Sequence, residues 1–288
     1  MHSLTLSSPA KLNLVLDVLG RRLDGFHELR TVFERISLAD QITLVNNATG
    51  KIRVICRHPH VPKGPKNLVV KIARRLQQDF AVQNGVDIAI IKNIPVAAGL
   101  AGGSSNAATV LLGLNRLWNL GLTQQQLLGY ASAVGSDVAF FLYHTSYALG
   151  TGRGEQIRPL PVKRKLWHVL VTPKVKMYTK AVFTKLGAGK LKLTNKRDNV
   201  NILLPFLRKG NNQDLGSVLS NDLEPAILSL RPDFIRLKRK LLDAGAVGVC
   251  FSGSGPSVFA LAESQKHAHA IRAKFDRRYA QVFVVSTL

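Results

Sequence analysis

The sequence predicts an α+β protein of two domains, on three observations. Its 288 residues suit one large or two small domains, at roughly 100–200 residues for an ordinary one. Strand-like and helical patterns alternate along it, most regularly towards the C-terminal end, where a small layered α+β unit is expected. A glycine-rich passage, Ser146 to Gly154, with Pro159 and Pro161 after it, marks a boundary that divides the chain into 1–157 and 158–288.

The elements follow in order. Leu12–Val18 and Arg30–Leu38 read as strands, parted by the turn Arg21-Arg-Leu-Asp-Gly25. Lys51–Cys56 alternates cleanly after a turn at Asn46, Asn47 and Gly50. Asn67 caps a helix reaching about Phe80, with Leu68, Ile72 and Leu76 on one face. Val86–Ile91 is the next strand, and a helix over about Ser105–Leu117 comes after a loop of small residues. Thr123 caps another helix to about Val134, before Gly135-Ser-Asp137 and a short apolar helix or turn. The second half reads as strand Trp167–Thr172, helix Thr179–Leu186, helices between Val200 and Leu219, and helix Pro232–Ala244. Strands Val247–Phe251 and Val258–Leu261, helix Gln265–Phe275 and strand Val282–Val285 close it.

Composition narrows the function classes. The apolar fraction, 46%, is that of a globular protein. No apolar run approaches the ~18 residues of a membrane span, and the first residues lack the charged start and apolar stretch of a secretion signal. A cytoplasmic protein with no membrane partner is expected. Cys56 and Cys250 sit in strand-like runs and read as buried thiols. His58 with His60, and His267 with His269, are spaced two apart, which does not suit a metal site on a helix. Net charge is +23, which attracts nucleic acid, acidic membranes or phosphorylated metabolites. The basic clusters, Lys163–Lys165, Lys190–Arg197, Arg236–Lys240 and Arg277-Arg278, are short and do not alternate with aromatics. Solvated faces explain them better than a nucleic-acid surface does.

The loop of small residues carries the chemistry. It runs Pro95, Val96, Ala97, Ala98, Gly99, Leu100, Ala101, Gly102, Gly103, Ser104, Ser105, with an apolar helical pattern directly after. Small residues let backbone approach a ligand, and the first N–H groups of a helix favour an anion. No Gly-Lys-Ser/Thr closes the loop, so it is not a Walker A motif. Gly99, Ala101 and Ser104 make a poor dinucleotide fingerprint. A different phosphate loop is expected, in which Ser104 or Ser105 caps the helix; a plain turn with a serine cap is the simpler alternative.

This loop resembles the second motif of the GHMP small-molecule kinases. Other segments resemble further motifs of that family in the right order, over nearly the whole chain. Pro9-Ala-Lys11-Leu-Asn13 and Asp24-Gly-Phe26-His27 are similar to motifs of the branch acting on 4-diphosphocytidyl-2-C-methyl-D-erythritol. Gly135-Ser-Asp137-Val-Ala-Phe-Phe141 resembles the stretch with the family's acidic residue. Asn221-Asp-Leu-Glu224 and Ser252-Gly-Ser-Gly-Pro-Ser257 resemble its late motifs, the last a second glycine loop. The resemblance implies an N-terminal domain with a left-handed βαβ unit and a ferredoxin-like C-terminal domain. It also implies ATP-dependent phosphorylation of that substrate's 2-hydroxyl.

Residue roles follow from the same resemblance. Asp137 and Lys11 form the catalytic pair: Asp137 is suited to accept the hydroxyl proton, Lys11 to keep Asp137 ionised and to meet the forming alkoxide and the γ-phosphate, and the sequence leaves open which of the two takes the proton. Asn13 positions the hydroxyl or phosphate. Phe26 stacks on the cytosine, His27 bonds its edge, and Tyr178 supplies the second aromatic face. Asn67 and Lys92 lie on the adenine side, and Gly253, Ser254 and Gly255 line the meeting point of substrate and phosphates. Each also has a plainer reading: helix cap for Asn67 and Asp137, surface or strand residue for Lys92, Lys11 and Asn13, packing for the aromatics, a turn for the glycines. Two departures stand out. Phe26 replaces the usual tyrosine, which keeps stacking and loses a phenol. Ala97, Ala98 and Ala101 stand where many members have glycine, although alanine takes positive φ only at a cost. Mg²⁺ is expected to arrive with ATP and no dedicated protein metal site is identified; the state in solution is expected to be a monomer or weak homodimer.

Overall fold

A computed structural model of the chain describes residues 2–188, 198–275 and 281–288. It divides into two compact units, one of Met1–Ala10, Leu38–Val96 and Ala101–His144, the other of Lys11–Ser37, Ala97–Leu100 and Thr145–Leu288. The basic clusters at 190–197 and Arg277-Arg278 lie outside the described residues.

Two long strands, β1 (Ser3–Arg21) and β2 (His27–Asn47), run through both units. The first unit adds β3 (Ile52–Cys56), α1 (Leu68–Asp79), β4 (Gly85–Ile91), α2 (Gly102–Leu117), α3 (Gln124–Ser132) and α4 (Val138–Phe141). Its β2 portion pairs antiparallel with β4, Ile42 opposite Ile90, and β3 lies parallel to β4, Val54 opposite Ile88. The β3–α1–β4 crossover is therefore a βαβ unit. Alternation buries Ile42, Leu44, Ile88 and Ile90. Helical spacing brings Val69, Val70, Ile72, Ala73 and Leu76 of α1 to its buried face. The start signals read from the sequence are present: Asn67 Oδ1 accepts the Val69 N–H, and Thr123 forms a capping box with Gln126.

The second unit adds β5 (Tyr147–Thr151), β6 (Gln156–Leu160), β7 (Trp167–Thr172), α5 (Thr179–Ala188), α6 (Asn199–Lys209) and α7 (Asn212–Ser217). It continues through β8 (Ser220–Asn221), α8 (Glu224–Leu230), α9 (Phe234–Asp243), β9 (Gly248–Phe251), β10 (Val258–Ala262), α10 (Gln265–Ala273) and β11 (Gln281–Ser286). Strands β11-β7-β10-β9 form an antiparallel sheet. With α10 between β10 and β11, and helices between β7 and β9, this is the ferredoxin-like arrangement. Val169, Val171, Phe251, Val258 and Ala260 of the sheet share a core with Ile227, Phe234, Leu237, Leu241, Ile271 and Phe275. Cys56 and Cys250 are free and buried.

The sequence reading caught the middles of β1 and β2 and missed their ends, which alternate polar residues with half-buried leucines such as Leu4 and Leu6. It also missed the hairpin β5–β6. Glycine at 150 obscured β5, yet a Cβ there would lie 2.4 Å from Phe33 Cε2, so glycine is what lets the strand pair with β2. Pro159 obscured β6, which pairs only with β5 and so tolerates proline.

A buried polar cluster ties β2, β7 and the segment after β11 in this unit. Glu34 accepts from Thr287 Oγ1 at 2.6 Å and lies 2.9 Å from His168 Nε2. Replacing Glu34 by alanine leaves both groups without their acceptor. A loss of about 3 kcal/mol or more in urea unfolding is expected; a change under about 1 kcal/mol would show the cluster to be incidental.

Candidate active site

In the first unit, the approach to the small-residue loop is organised by Asp40 on β2. Its buried carboxylate accepts the main-chain N–H groups of Asn93 and Ile94, each at 2.8 Å, and Asn106 Nδ2 at 2.9 Å. Lys92 Nζ donates to it at 2.6 Å and to the Ile94 carbonyl at 2.7 Å. Burial pushes the Lys92 ammonium below the ordinary lysine range, and Asp40 pulls the other way. Two of its three N–H groups are thereby engaged. Asn106 also donates to Ser8 Oγ at 2.9 Å, and Ser8 Oγ lies 2.9 Å from Ser105 Oγ.

That last contact corrects the expected serine cap. Helix α2 starts at Gly102, three residues before the sequence reading, and its N-cap is Ala101 at φ 54°, ψ 28°. Alanine has no side-chain acceptor, and Ser105 is turned inward to Ser8. The first-turn N–H groups of Gly102, Gly103 and Ser104 thus carry no serine cap at Ncap, which is the condition for an anion to take its place. Ala97 also sits at φ 54°. Along the loop Pro95, Ala98, Leu100, Gly102 and Ser105 are buried, Val96, Ala97 and Gly103 are exposed, and Gly99, Ala101 and Ser104 are between. Asn67 holds α1 from its cap position, and its Nδ2 donates to the Pro62 carbonyl at 2.6 Å. Asp137 precedes α4, half-buried, and its side chain does not cap that helix. Among the described residues no three His, Cys, Asp or Glu side chains gather as a metal cage. Ser104 and Asp137, both half-buried here, offer the hard oxygen donors that Mg²⁺ prefers.

The second unit holds further residues singled out in the sequence. Lys11 is 4% exposed, and its Nζ donates to Asn13 Oδ1 at 2.6 Å. Asn13 Nδ2 donates to Thr31 Oγ1 at 2.8 Å, which in turn donates to the Val15 carbonyl at 2.6 Å. This relay fixes both side chains. The Lys11 N–H meets the Leu100 carbonyl at 3.2 Å, and Ser252 Oγ donates to the Gly99 carbonyl at 3.0 Å. A Cβ on Gly99, at φ 75°, would fall 2.1 Å from the Ser252 carbonyl, so only glycine fits. A Cβ on Gly253 would lie 3.4 Å from Asn13 Oδ1, Lys11 Nζ and the Gly99 carbonyl alike. Lys11, Asn13, Gly99 and Gly253 are therefore brought together. Asn221 Nδ2 supports the late loop through the carbonyls of Phe251 and Gly253, at 3.0 and 2.8 Å, and Ser254 pairs with Thr179 at 2.9 Å. Phe26 is 53% and Tyr178 66% exposed. The His27 ring packs 4.9 Å from Phe183 on α5, the helix that Tyr178 precedes. Partial burial, and secondarily Arg21, lowers the His27 pKa from the ordinary imidazole value.

The chain matches the GHMP kinases N terminal domain over residues 67–145 and the GHMP kinases C terminal domain over residues 203–281. A 4-diphosphocytidyl-2-C-methyl-D-erythritol kinase of Pelobacter propionicus is 43% identical over 274 residues, 95% of each chain. The chain belongs to the GHMP kinases. A kinase of the same name from Bacillus anthracis is 39% identical over 286 residues, 99% of this GHMP kinase and 97% of the relative. The crystal structure of a 4-(cytidine 5'-diphospho)-2C-methyl-D-erythritol kinase superposes with a TM-score of 0.80 at 30% identity, covering 98% of both chains.

Sequence reasoning missed Asp40, Thr31, Phe183 and the supporting role of Asn221. Asp40 had one visible signal, an acid closing an apolar run in a chain with only 17 acids. In this GHMP kinase Asp40→Ala should cost about 3–5 kcal/mol, because it strands the buried Lys92 ammonium. Thermal and urea unfolding of the variant measure it, and near-native stability would show that Asp40 does not anchor the loop.

Proposed function

We infer that this GHMP kinase transfers the γ-phosphoryl group of ATP to the 2-hydroxyl of 4-diphosphocytidyl-2-C-methyl-D-erythritol. The products are the 2-phosphate and ADP, in the non-mevalonate isoprenoid pathway. The observation that carries the reading is identity of 39–43% over at least 95% of the chain to kinases named for that substrate. The pairing of exposed Phe26 with His27 supports it. Neutral His27 offers one donor and one acceptor to a cytosine edge, and the lowered pKa favours that neutral form.

Phosphoryl transfer depends on in-line positioning and charge neutralisation. The bond from the γ-phosphorus to the leaving oxygen of ADP breaks as one to the acceptor oxygen forms. Asp137 takes the hydroxyl proton, and Lys11, oriented by Asn13, meets the developing negative charge. Residues 95–105 cradle the phosphates with backbone N–H groups, Gly253 and Ser254 line the acceptor side, and Asn67 and Lys92 lie towards the adenine. Phe26 and Tyr178 stack on the cytosine. Ser104 and Asp137 would offer oxygen donors to Mg²⁺ arriving with ATP, and the ion would neutralise phosphate charge. The functional division falls at 157/158, with a monomer or weak homodimer in the cytoplasm as the working form. No helix among the described residues is long and apolar enough to cross a membrane.

Phe26→Ala should raise KM for the cytidylyl acceptor about tenfold or more, the size of one lost base stack, with KM for ATP nearly unchanged. Equal effects on both substrates would remove the cytosine assignment and favour another acceptor. Asp137→Asn and Lys11→Ala should each lower kcat by about 10²–10⁴. Near-normal turnover in either would show that the catalytic pair is misassigned.

A further inference from the structure

The turn joining β5 to β6 is held against the residues that follow Phe26. The Gly152 N–H donates to Glu28 Oε1 at 3.1 Å, and the Gly152 carbonyl accepts the Leu29 N–H at 2.6 Å. Arg22 Nη1 fixes Glu28 from the other side, at 2.6 Å from Oε2. Between two glycines of positive φ, Gly152 and Gly154, Arg153 is set over the Phe26 ring with Cζ 4.9 Å from its centroid. Arg153 is itself anchored: its main-chain N–H donates to Glu155 Oε2 at 2.6 Å, and its Nε lies 3.7 Å from Oε1. The Phe26 N–H donates to Asp24 Oδ1 at 3.1 Å, so backbone and ring are restrained from different directions.

A phenyl ring has two faces. Arg153 covers one, and the ring remains half exposed. We propose that Arg153 is a positioning residue for the acceptor's nucleobase, bracing Phe26 from behind so that its free face is presented as a stacking platform beside His27. The proposal rests on the reading of Phe26 and His27 as the base site. Phe26 has no hydroxyl to tether its ring, so an attraction from one face is the available restraint. A ring already aligned loses less freedom when the base arrives, and the saving appears as affinity for the acceptor. The anchoring by Glu155 opposes the other geometry, in which the guanidinium occupies the stacking face and is displaced by the base. That geometry predicts tighter acceptor binding when Arg153 is removed.

The test uses the full chain and four variants, R153M, R153K, F26A and F26A/R153M. It reads kcat, KM for both substrates, and Kd for CDP by calorimetry. R153M should raise acceptor KM and CDP Kd about two- to fivefold, the size of an exposed cation–π contact, and leave kcat and KM for ATP unchanged. R153K should recover part of the loss, and R153M should add nothing in the F26A background. Weaker CDP binding in F26A with unchanged or tighter binding in R153M would overturn the role of Arg153 and leave the base site standing. Unchanged CDP binding in F26A would remove the base site, and the proposal with it.

Discussion

An ionised carboxylate removed from water is costly unless its lone pairs are met by donors. Asp40 meets that condition by collecting Lys92, Asn106 and the N–H groups of Asn93 and Ile94. These partners belong to the segment that leaves β4 for the loop and to α2, while Asp40 belongs to β2. One buried charge therefore fixes where a strand ends, how the loop begins and how the helix behind it is seated. The Ser8, Ser105 and Asn106 contacts extend the same network to β1. A loop of small residues has few side chains with which to hold its own path, so it depends on this support from below.

The loop's backbone shows where that support is needed. Ala97 and Ala101 both sit at φ 54°, a conformation that costs an L-residue roughly 1–2 kcal/mol. Strain of this kind persists only where the surroundings over-determine it, and it gathers at functional sites. Alanine therefore occupies a left-handed conformation at both of these positions. Gly99 differs, because its limit is the carbonyl of Ser252 as well as its φ. In the second unit, Asn221 and the Lys11–Asn13–Thr31 relay do for the late glycine loop and the Lys11 side chain what Asp40 does for the first loop.

Much of this was legible in the sequence because its signals are local. Caps at Asn67 and Thr123, the alternation of β3 and β4, and the order of strands in the second half each need only neighbouring residues. The family motifs were legible for the same reason. Asp40 and Glu34 were not, since a lone acid in a strand says nothing about donors 52 and 134 residues away. The serine cap failed through competition: Ser105 can accept from a helix N–H or bond a neighbouring hydroxyl, and Ser8 on a distant strand decides the matter. Hairpin β5–β6 was hidden because its glycine and proline are explained only by partners, Phe33 and an unpaired sheet edge.

The +23 charge suits a protein whose proposed substrates, ATP and a diphosphate-linked alcohol, are both anions, drawn in by a field that salt screens over about 8 Å. The same charge suits nucleic acid, so turnover is what separates the two. The most direct measurement is ADP release by the purified chain with Mg·ATP and a panel of acceptors: 4-diphosphocytidyl-2-C-methyl-D-erythritol, homoserine, mevalonate and a sugar. The account predicts rapid release with the cytidylyl acceptor and background with the rest. Faster release with any other acceptor, or tight salt-sensitive RNA binding with no turnover on any of them, would contradict it.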